Sequence, residues 1–245
     1  MIKSFNTLNK SMNVLQKKQE TISHNVANVN TPGFKYQDVI QRTQESHDLV
    51  NFTAGRERNL RRPLGEWVFG NEVEGHHTSL QAGNFVKTDD PFDYVIAGEG
   101  FFTIQLPDGG TAYSRSGNFS LDQENRLVTM EGYPVIGITG GGQTISPIYG
   151  DSQGNLEANV NLLITGFPEG TELERFGETL FLNGENQGFQ VETEAVKGYL
   201  EMSNVAISDE MVKLIQVARE FEANQKALMT SDETLNKAVN EIGRV

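Results

Sequence analysis

Both ends of this 245-residue chain carry the same seven-residue period, which restricts the fold more tightly than anything else in the sequence. At the N-terminus Phe5, Leu8, Met12, Leu15, Gln19, Ile22, Val26 and Val29 follow alternating spacings of three and four. At the C-terminus Ile207, Met211, Leu214, Ala218, Phe221, Gln225, Leu228, Asp232, Leu235, Val239 and Ile242 do the same. A seam with this spacing is the pattern of helices that wrap one another. Gln19, Gln225 and Asp232 interrupt the seams, and polar seam residues lower stability while restricting register.

The flanking residues agree with two helices. Ser208 is the expected N-cap of the second, with Asp209 and Glu210 placing negative charge in its first turn. Lys237 and Arg244 lie near its far end, where the helix dipole favours cations. Thr31-Pro32-Gly33-Phe34 stops the first helix: proline removes Thr31 from the helical region, and glycine at the third place suits a type II turn. At about 1.5 Å per residue the helices would run ~40 Å and ~55 Å. Seven apolar side chains on the first seam supply about 1.5–3 kcal/mol each when fully buried. Ordering each backbone costs about 1–2 kcal/mol, so the helix needs a partner. An intramolecular helical hairpin and helices that order when copies assemble both meet that need.

Between the ends the period changes to two. Phe92, Tyr94 and Ile96 alternate, as do Phe102, Ile104 and Leu106, up to the turn Pro107-Asp108-Gly109-Gly110. Further strands are expected at 111–115, 118–121, 127–130, 133–138, 145–149 and 160–164, with a turn at Asp151–Gly154. Residues 36–75, with Arg56, Arg58, Arg61, Arg62, Pro63, Trp67 and Phe69, read as an extended segment lying on the β domain. The expected fold class is α+β: terminal α-helices forming a coiled-coil-like pair, with an inserted, mainly antiparallel β domain. The expected divisions are 1–30 with 203–245 for the helices, 31–75 for the extended linker and 76–202 for the β domain.

No constellation of residues points to catalysis or to a cofactor. Cysteine is absent, which excludes disulfides, thiolate nucleophiles and thiolate metal sites. His76 and His77 are neighbours and would face opposite sides of a strand, while His24 and His47 stand alone. Gly98-Glu99-Gly100 begins a dinucleotide fingerprint, but residue 103 is Thr. Gly140-Gly141-Gly142 lacks a following P-loop lysine. Tyr113–Gly117 is not a nucleophile elbow, and Asp151–Glu157 lacks the ligand alternation of a calcium loop.

The charge is uneven. Residues 1–62 hold ten Lys/Arg against five Asp/Glu, and the rest hold ten against 28. An acidic body is unsuited to nucleic acid. Unlike fields within one chain suit contacts between copies. No stretch is long and apolar enough to cross a membrane as a helix, and the first ten residues lack the apolar core of a signal peptide. These features favour an interaction protein over an enzyme. A cell-wall polysaccharide enzyme and a non-assembling envelope binding module remain the readings from other classes.

Three motifs resemble those of the bacterial flagellar basal-body rod and hook proteins. The first runs from Asn25 through Asn28, Thr31, Pro32, Gly33 and Phe34 to Lys35. The second runs from Leu80 through Gly98, Gly100, Phe101 and Phe102 to Phe119 and on over 127–137. The third is Gly198–Val205, with Ser203 and Asn204, followed by Glu210–Ile215 and Phe221–Asn224. The resemblance implies a structural rod subunit whose paired terminal helices enter a tubular core and whose β domain lies outside. Its partners would be further copies, neighbouring rod and hook subunits, and the flagellar type III export apparatus, with no cofactor, nucleic acid or membrane insertion. Export through that channel would need no cleaved signal peptide. The Gly-x-Gly-Phe-Phe block is closest to members at the distal end of the rod, with a proximal position as the alternative. Gln216-Val217-Ala218-Arg219 departs from the family's usual Gln-Arg pair.

Overall fold

The structure, a computed structural model, describes residues 2–53, 60–68, 70–139, 144–150, 161–168, 171, 173–183, 188–191 and 193–242. Arg56, Arg58, Phe69, the 140–142 glycines, the 151–154 turn and Arg244 lie outside the described residues, as do the side chains of Arg61, Arg62 and Ile242. The chain is mixed α and β and forms two compact units. One comprises residues 1–27, 37–79 and 206–245; the other comprises 28–36 and 80–205. Each terminal segment therefore contributes to both.

In the first unit α1 (Ile2–Ala27) is followed by β1 (Gln37–Thr43), β2 (Ser46–Thr53), β3 (Leu60–Val68) and β4 (Asn71–Thr78). β1 pairs antiparallel with β4 from Gln37↔Thr78 to Thr43↔Asn71. β2 pairs with β3 from Ser46↔Val68 to Thr53↔Leu60. The segment 36–75, expected as extended, falls within two successive ladders over 37–78 joined at Gln44, whose N–H donates to the Gly70 carbonyl at 2.9 Å. Pro63 is accommodated because its partner Val50 lies at a register shift, where a missing N–H costs least.

Helix α2 (Ile207–Lys237) completes this unit and runs on into a π-helical turn, Ala238–Ile242. Ser208 is not its cap. Ala206 occupies that place in extended backbone (φ −93°), and its carbonyl accepts the N–H groups of Asp209 and Glu210, both at 3.1 Å. Asp209 and Glu210 complement the first turn, and Lys237 the last, as expected.

The helices pack through Leu15, Ile22 and Val217, with Val26, Leu214 and Phe221 against them. The period is as expected, but its phase on α2 is not. The covered positions include 210, 214, 217, 221, 224, 228, 231, 235 and 238, a three–four alternation, with Lys213 and Ala218 half-covered beside it. Leu214, Phe221, Leu228 and Leu235 belong to both the expected and the observed stripe. Ile207, Met211, Gln225, Asp232 and Val239 are exposed, and on α1 so is Gln19. Polar residues assigned to the seam thus stand in solvent, where they need no buried partner.

The second unit holds β5 (Phe85–Lys87), β6 (Tyr94–Ile96), β7 (Phe101–Gln105), β8 (Thr111–Ser114), β9 (Ser120–Leu121) and β10 (Leu127–Val128). These are followed by β11 (Ile136–Thr139), β12 (Thr144–Pro147), β13 (Asn161–Leu162), β14 (Ile164–Gly166) and β15 (Glu174–Phe176). The last are β16 (Leu180–Leu182), β17 (Phe189–Gln190), β18 (Ala195–Lys197) and β19 (Tyr199–Glu201). The main sheet is antiparallel in the order β15-β16-β8-β7-β14-β17, with smaller pairings β12-β11-β13, β9-β10, β6-β18 and β5-β19. β7 and β8 form the expected hairpin, whose turn is held by Asp108 Oδ1 accepting the Gly110 N–H at 2.9 Å.

β7 is covered on both faces by side chains packed on either side of the sheet. Phe102 joins Tyr94, Ile96, Phe119, Leu127, Val135, Ile148, Leu162 and Ile164 in the main core. Phe101, on the other face, meets Phe167 and Phe181, each at 5.8 Å between ring centroids. Gly100 enters this strand at φ +117°, and a Cβ there would lie 2.5 Å from Ile164 Cγ2, so glycine serves both backbone and packing.

Candidate functional site

The N-terminal and C-terminal motifs meet inside the second unit. The turn after α1 closes by hydrogen bonds from Thr31 N to Asn28 O (3.1 Å) and from Phe34 N to Thr31 O (3.3 Å). Gly33 takes φ +70° at the third place, which completes the expected type II turn. The Thr31 hydroxyl donates to Asn28 Oδ1, and Asn28 Nδ2 donates to Glu178 Oε2, both at 3.0 Å. Phe34 is fully buried, with the Arg175 guanidinium 4.3 Å from its ring centroid. The Gly33 N–H donates to the Glu201 carbonyl at 2.7 Å. Asn204 Oδ1 accepts the Tyr36 N–H at 2.7 Å, and Asn204 Nδ2 donates to the Gln81 carbonyl at 3.0 Å. Ser203 Oγ accepts the Val205 N–H at 3.3 Å.

Beneath this seam lies a buried charge cluster. Lys35 Nζ donates to Glu201 Oε1 and to the Gln81 carbonyl, both at 2.6 Å. The same carboxylate oxygen accepts the Gly83 N–H at 3.0 Å. Glu201 Oε2 faces Arg115 Nη1 at 3.4 Å, while Arg115 Nη2 donates to the Gly98 carbonyl at 2.6 Å. Lys35 and Glu201 are each 1% exposed, and Arg115 5%. Burial pushes the Lys35 ammonium below its ordinary range, with the Glu201 carboxylate pulling the other way; burial also lowers Arg115. One carboxylate therefore serves two buried cations from separate parts of the sequence.

In the first unit Asn25 does comparable work with a neutral amide. Its Nδ2 donates to the Gln37 carbonyl at 2.8 Å and to Glu210 Oε2 at 3.0 Å, and its Oδ1 accepts the Gln37 N–H at 3.1 Å. Lys213 Nζ satisfies Glu210 Oε1 at 2.7 Å. Asn25 thus ties α1 to β1 and to the first turn of α2, where the Glu210 carboxylate also meets the positive helix end.

The motif residues Asn25, Asn28, Thr31, Gly33, Phe34, Ser203 and Asn204 all carry contacts of these kinds, and half-buried Pro32 shapes the turn. Gly98, Gly100, Phe101 and Phe102 line β7 and its approach. The seam residues divide. Leu15 and Ile22 are buried, with Val26, Leu214 and Phe221 against them. Leu8, Met12, Ala218, Leu228 and Leu235 are half-covered, and Phe5, Ile207, Met211 and Val239 are exposed. Lys35, Arg115, Glu201 and Glu210 were not singled out as site residues from the sequence. Their signal was a charge inside an apolar run, as in Phe34-Lys35-Tyr36 and Tyr199-Leu200-Glu201-Met202. On α2 an apolar surface remains uncovered: Ile207, Met211, Val212 and Ile215 are 42%, 53%, 55% and 53% exposed. Among the described residues no three His, Asp or Glu side chains gather as a metal site, and no helix is long and apolar enough to cross a membrane.

Comparison with known proteins covers both ends and the centre. The flagella basal body rod protein model matches residues 5–35. The flagellar hook protein FlgE/F/G D1 domain matches 95–164, and the flagellar basal body rod FlgEFG protein C-terminal model matches 196–241. Flagellar basal-body rod protein FlgG of Buchnera aphidicola subsp. Acyrthosiphon pisum is 35% identical over 88% of this chain and 90% of its own length. FlgG of Borreliella burgdorferi is 32% identical over 98% of both chains. Flagellar basal-body rod protein FlgF of Caulobacter vibrioides is 31% identical over 94% of both.

Proposed function

Because this chain belongs to the family of flagellar basal-body rod proteins and is a structural subunit of the rod, we propose that it builds the axial tube by head-to-tail self-association. The tube transmits torque to the hook. The observation that carries this reading is the uncovered stripe Ile207–Met211–Val212–Ile215 on α2. Four neighbouring apolar side chains open to water on a helix that already buries its other face mark an interaction surface. Copies dock there, the half-covered residues Leu8, Met12, Leu228 and Leu235 close in, and the α1–α2 contact extends into a coiled-coil-like seam.

Charge supports contacts between unlike surfaces. The second unit holds six Lys/Arg against 18 Asp/Glu, whereas the first is near balance with 14 against 15. Two unlike surfaces favour heterologous contacts, which propagate as an open helix when the rotation does not close. The FlgG relatives support a distal position in the rod. Export through the flagellar type III channel fits this role.

Two substitutions test the reading. Ile215→Asp places a carboxylate on the uncovered face, so it should abolish assembly and motility in a strain lacking its own copy while leaving the melting of the free chain unchanged. Leu214→Asp, one residue away, falls in the α1–α2 contact and should lower the melting temperature itself. Normal motility with Ile215→Asp would refute the stripe as the assembly face.

A further inference from the structure

The chain has no cysteine, so every oxidisable sulfur belongs to a methionine. Of those described, Met12 and Met202 are half-buried, while Met130, Met211 and Met229 are exposed. The three exposed ones differ in setting. Met229 lies among exposed polar neighbours one helical turn away: Gln225, Lys226, Asp232 and Glu233. Met130 is in the second unit, between Thr129 and Glu131. Met211 alone lies in a continuous apolar surface, with Ile207 and Ile215 one turn to either side and Val212 beside it.

We propose that Met211 is an oxidative modification site that switches the free subunit out of assembly; this rests on the assignment of the stripe as the assembly face. The reactant is a peroxide. The thioether sulfur attacks one peroxide oxygen, the O–O bond breaks as the S–O bond forms, and water leaves. Sulfur loses two electrons and hydrogen peroxide gains them. The product is a sulfoxide, a polar acceptor in place of an apolar, polarizable side chain. Set among Ile207, Val212 and Ile215, that oxygen must be desolvated without a donor when a second copy docks, which opposes association. Met229 and Met130 have greater exposure and oxidise as readily, but Met229 stands among polar side chains and Met130 lies outside the stripe, so their oxidation is silent. Docking covers Met211, so the switch acts on subunits before incorporation and spares finished rod.

The test uses the full-length chain and hydrogen peroxide. Peptide mass mapping of the treated chain should find one added oxygen at Met130, Met211 and Met229 before Met12 and Met202. Assembly is then read by sedimentation as the ratio of treated to untreated protein within each variant. Wild type, Met229→Leu and Met130→Leu should lose assembly on treatment. Met211→Leu should keep a ratio near unity. Met211→Gln, which carries a permanent polar group, should sediment without treatment as poorly as the oxidised wild type. Equal loss in treated Met211→Leu and wild type would overturn the proposal, as would Met211 oxidising no faster than Met12. If untreated wild type fails to associate, the assembly reading fails instead, and the order of oxidation still decides whether Met211 is the accessible site.

Discussion

Replacing Glu201 should strongly destabilise the second unit while leaving the backbone conformation permissible. Glu201→Ala removes the carboxylate that contacts both the buried Lys35 and Arg115 side chains, at 2.6 Å and 3.4 Å. It also strips the Gly83 N–H of its acceptor. Breaking a buried pair by deleting one partner costs about 3–5 kcal/mol, because the remaining charge stays out of water. The Gly83 penalty, on the order of 1–3 kcal/mol alone, overlaps with this and does not simply add. At roughly 2–4 °C per kcal/mol for a chain of this size, the melting temperature should fall by about 6–20 °C. Calorimetry measures the fall. Hydrogen-exchange mass spectrometry should place the lost protection in 28–36 and 80–205. The pair Lys35→Met with Glu201→Leu separates charge from shape. The double variant removes one of the two buried cations that Glu201→Leu alone would strand, so it should be more stable than Glu201→Leu, with Arg115 the one cation left without its carboxylate. Stability of Glu201→Ala within about 1 kcal/mol of wild type would refute the argument, as would strictly additive effects in the double variant.

Three further outcomes follow from the same geometry. Asn25→Ala should cost about 2–4 kcal/mol in urea unfolding, because it deletes two donated bonds and one accepted bond at a fully buried position. Gly33→Ala should destabilise in calorimetry by more than the ~1 kcal/mol of the left-handed backbone alone, since its Cβ would lie 2.2 Å from Ser116 N. Burial raises the Asp93 carboxyl above its ordinary 3.8, so the folded state holds that proton more tightly than the unfolded one. Its favourable contribution is complete below 3.8 and is lost as pH rises through the raised value. Asp93→Asn should therefore gain stability over wild type at neutral pH in paired urea titrations, with the gain vanishing in acid.

Most of the element order could be read from the sequence because its signals are local. The period of three and four marked α1 and α2, the turn at Thr31–Phe34 needed only Pro32 and Gly33, and the β7–β8 hairpin was declared by Pro107–Gly110. The phase of α2 could not be read this way. A seven-residue repeat offers two adjacent stripes that share Leu214, Phe221, Leu228 and Leu235, and only the partner decides whether Val217 or Ala218 turns inward. The structure buries Val217 against Leu15 and Ile22, which leaves Ile207, Met211 and Val239 uncovered. The two ladders of 37–78 were missed because Arg42, Glu72, Glu74 and the arginines of β3 break any apolar alternation. In a two-stranded ribbon, cross-strand pairs such as Arg42–Glu72 at 2.9 Å replace a hydrophobic face.

The Glu201 cluster was hidden for a different reason: its members are 166 and 86 residues apart in sequence. A charge inside an apolar run looks like a defect until its counter-charge is located. Lys35 and Glu201 reside in the two terminal motifs and Arg115 in the central one, so none of the three is complete in itself. Lys35 is a buried cation without Glu201, and the Glu201 strand carries an unpaired carboxylate without Lys35 and Arg115. Apolar seams are permissive about register, whereas a buried carboxylate between two cations is not, since a shift by one residue would turn it to the other face of its strand. The charges therefore specify how the two terminal motifs meet, which an apolar seam alone leaves open. That requirement suits a structural subunit of the rod, whose own fold must be unique within an assembly.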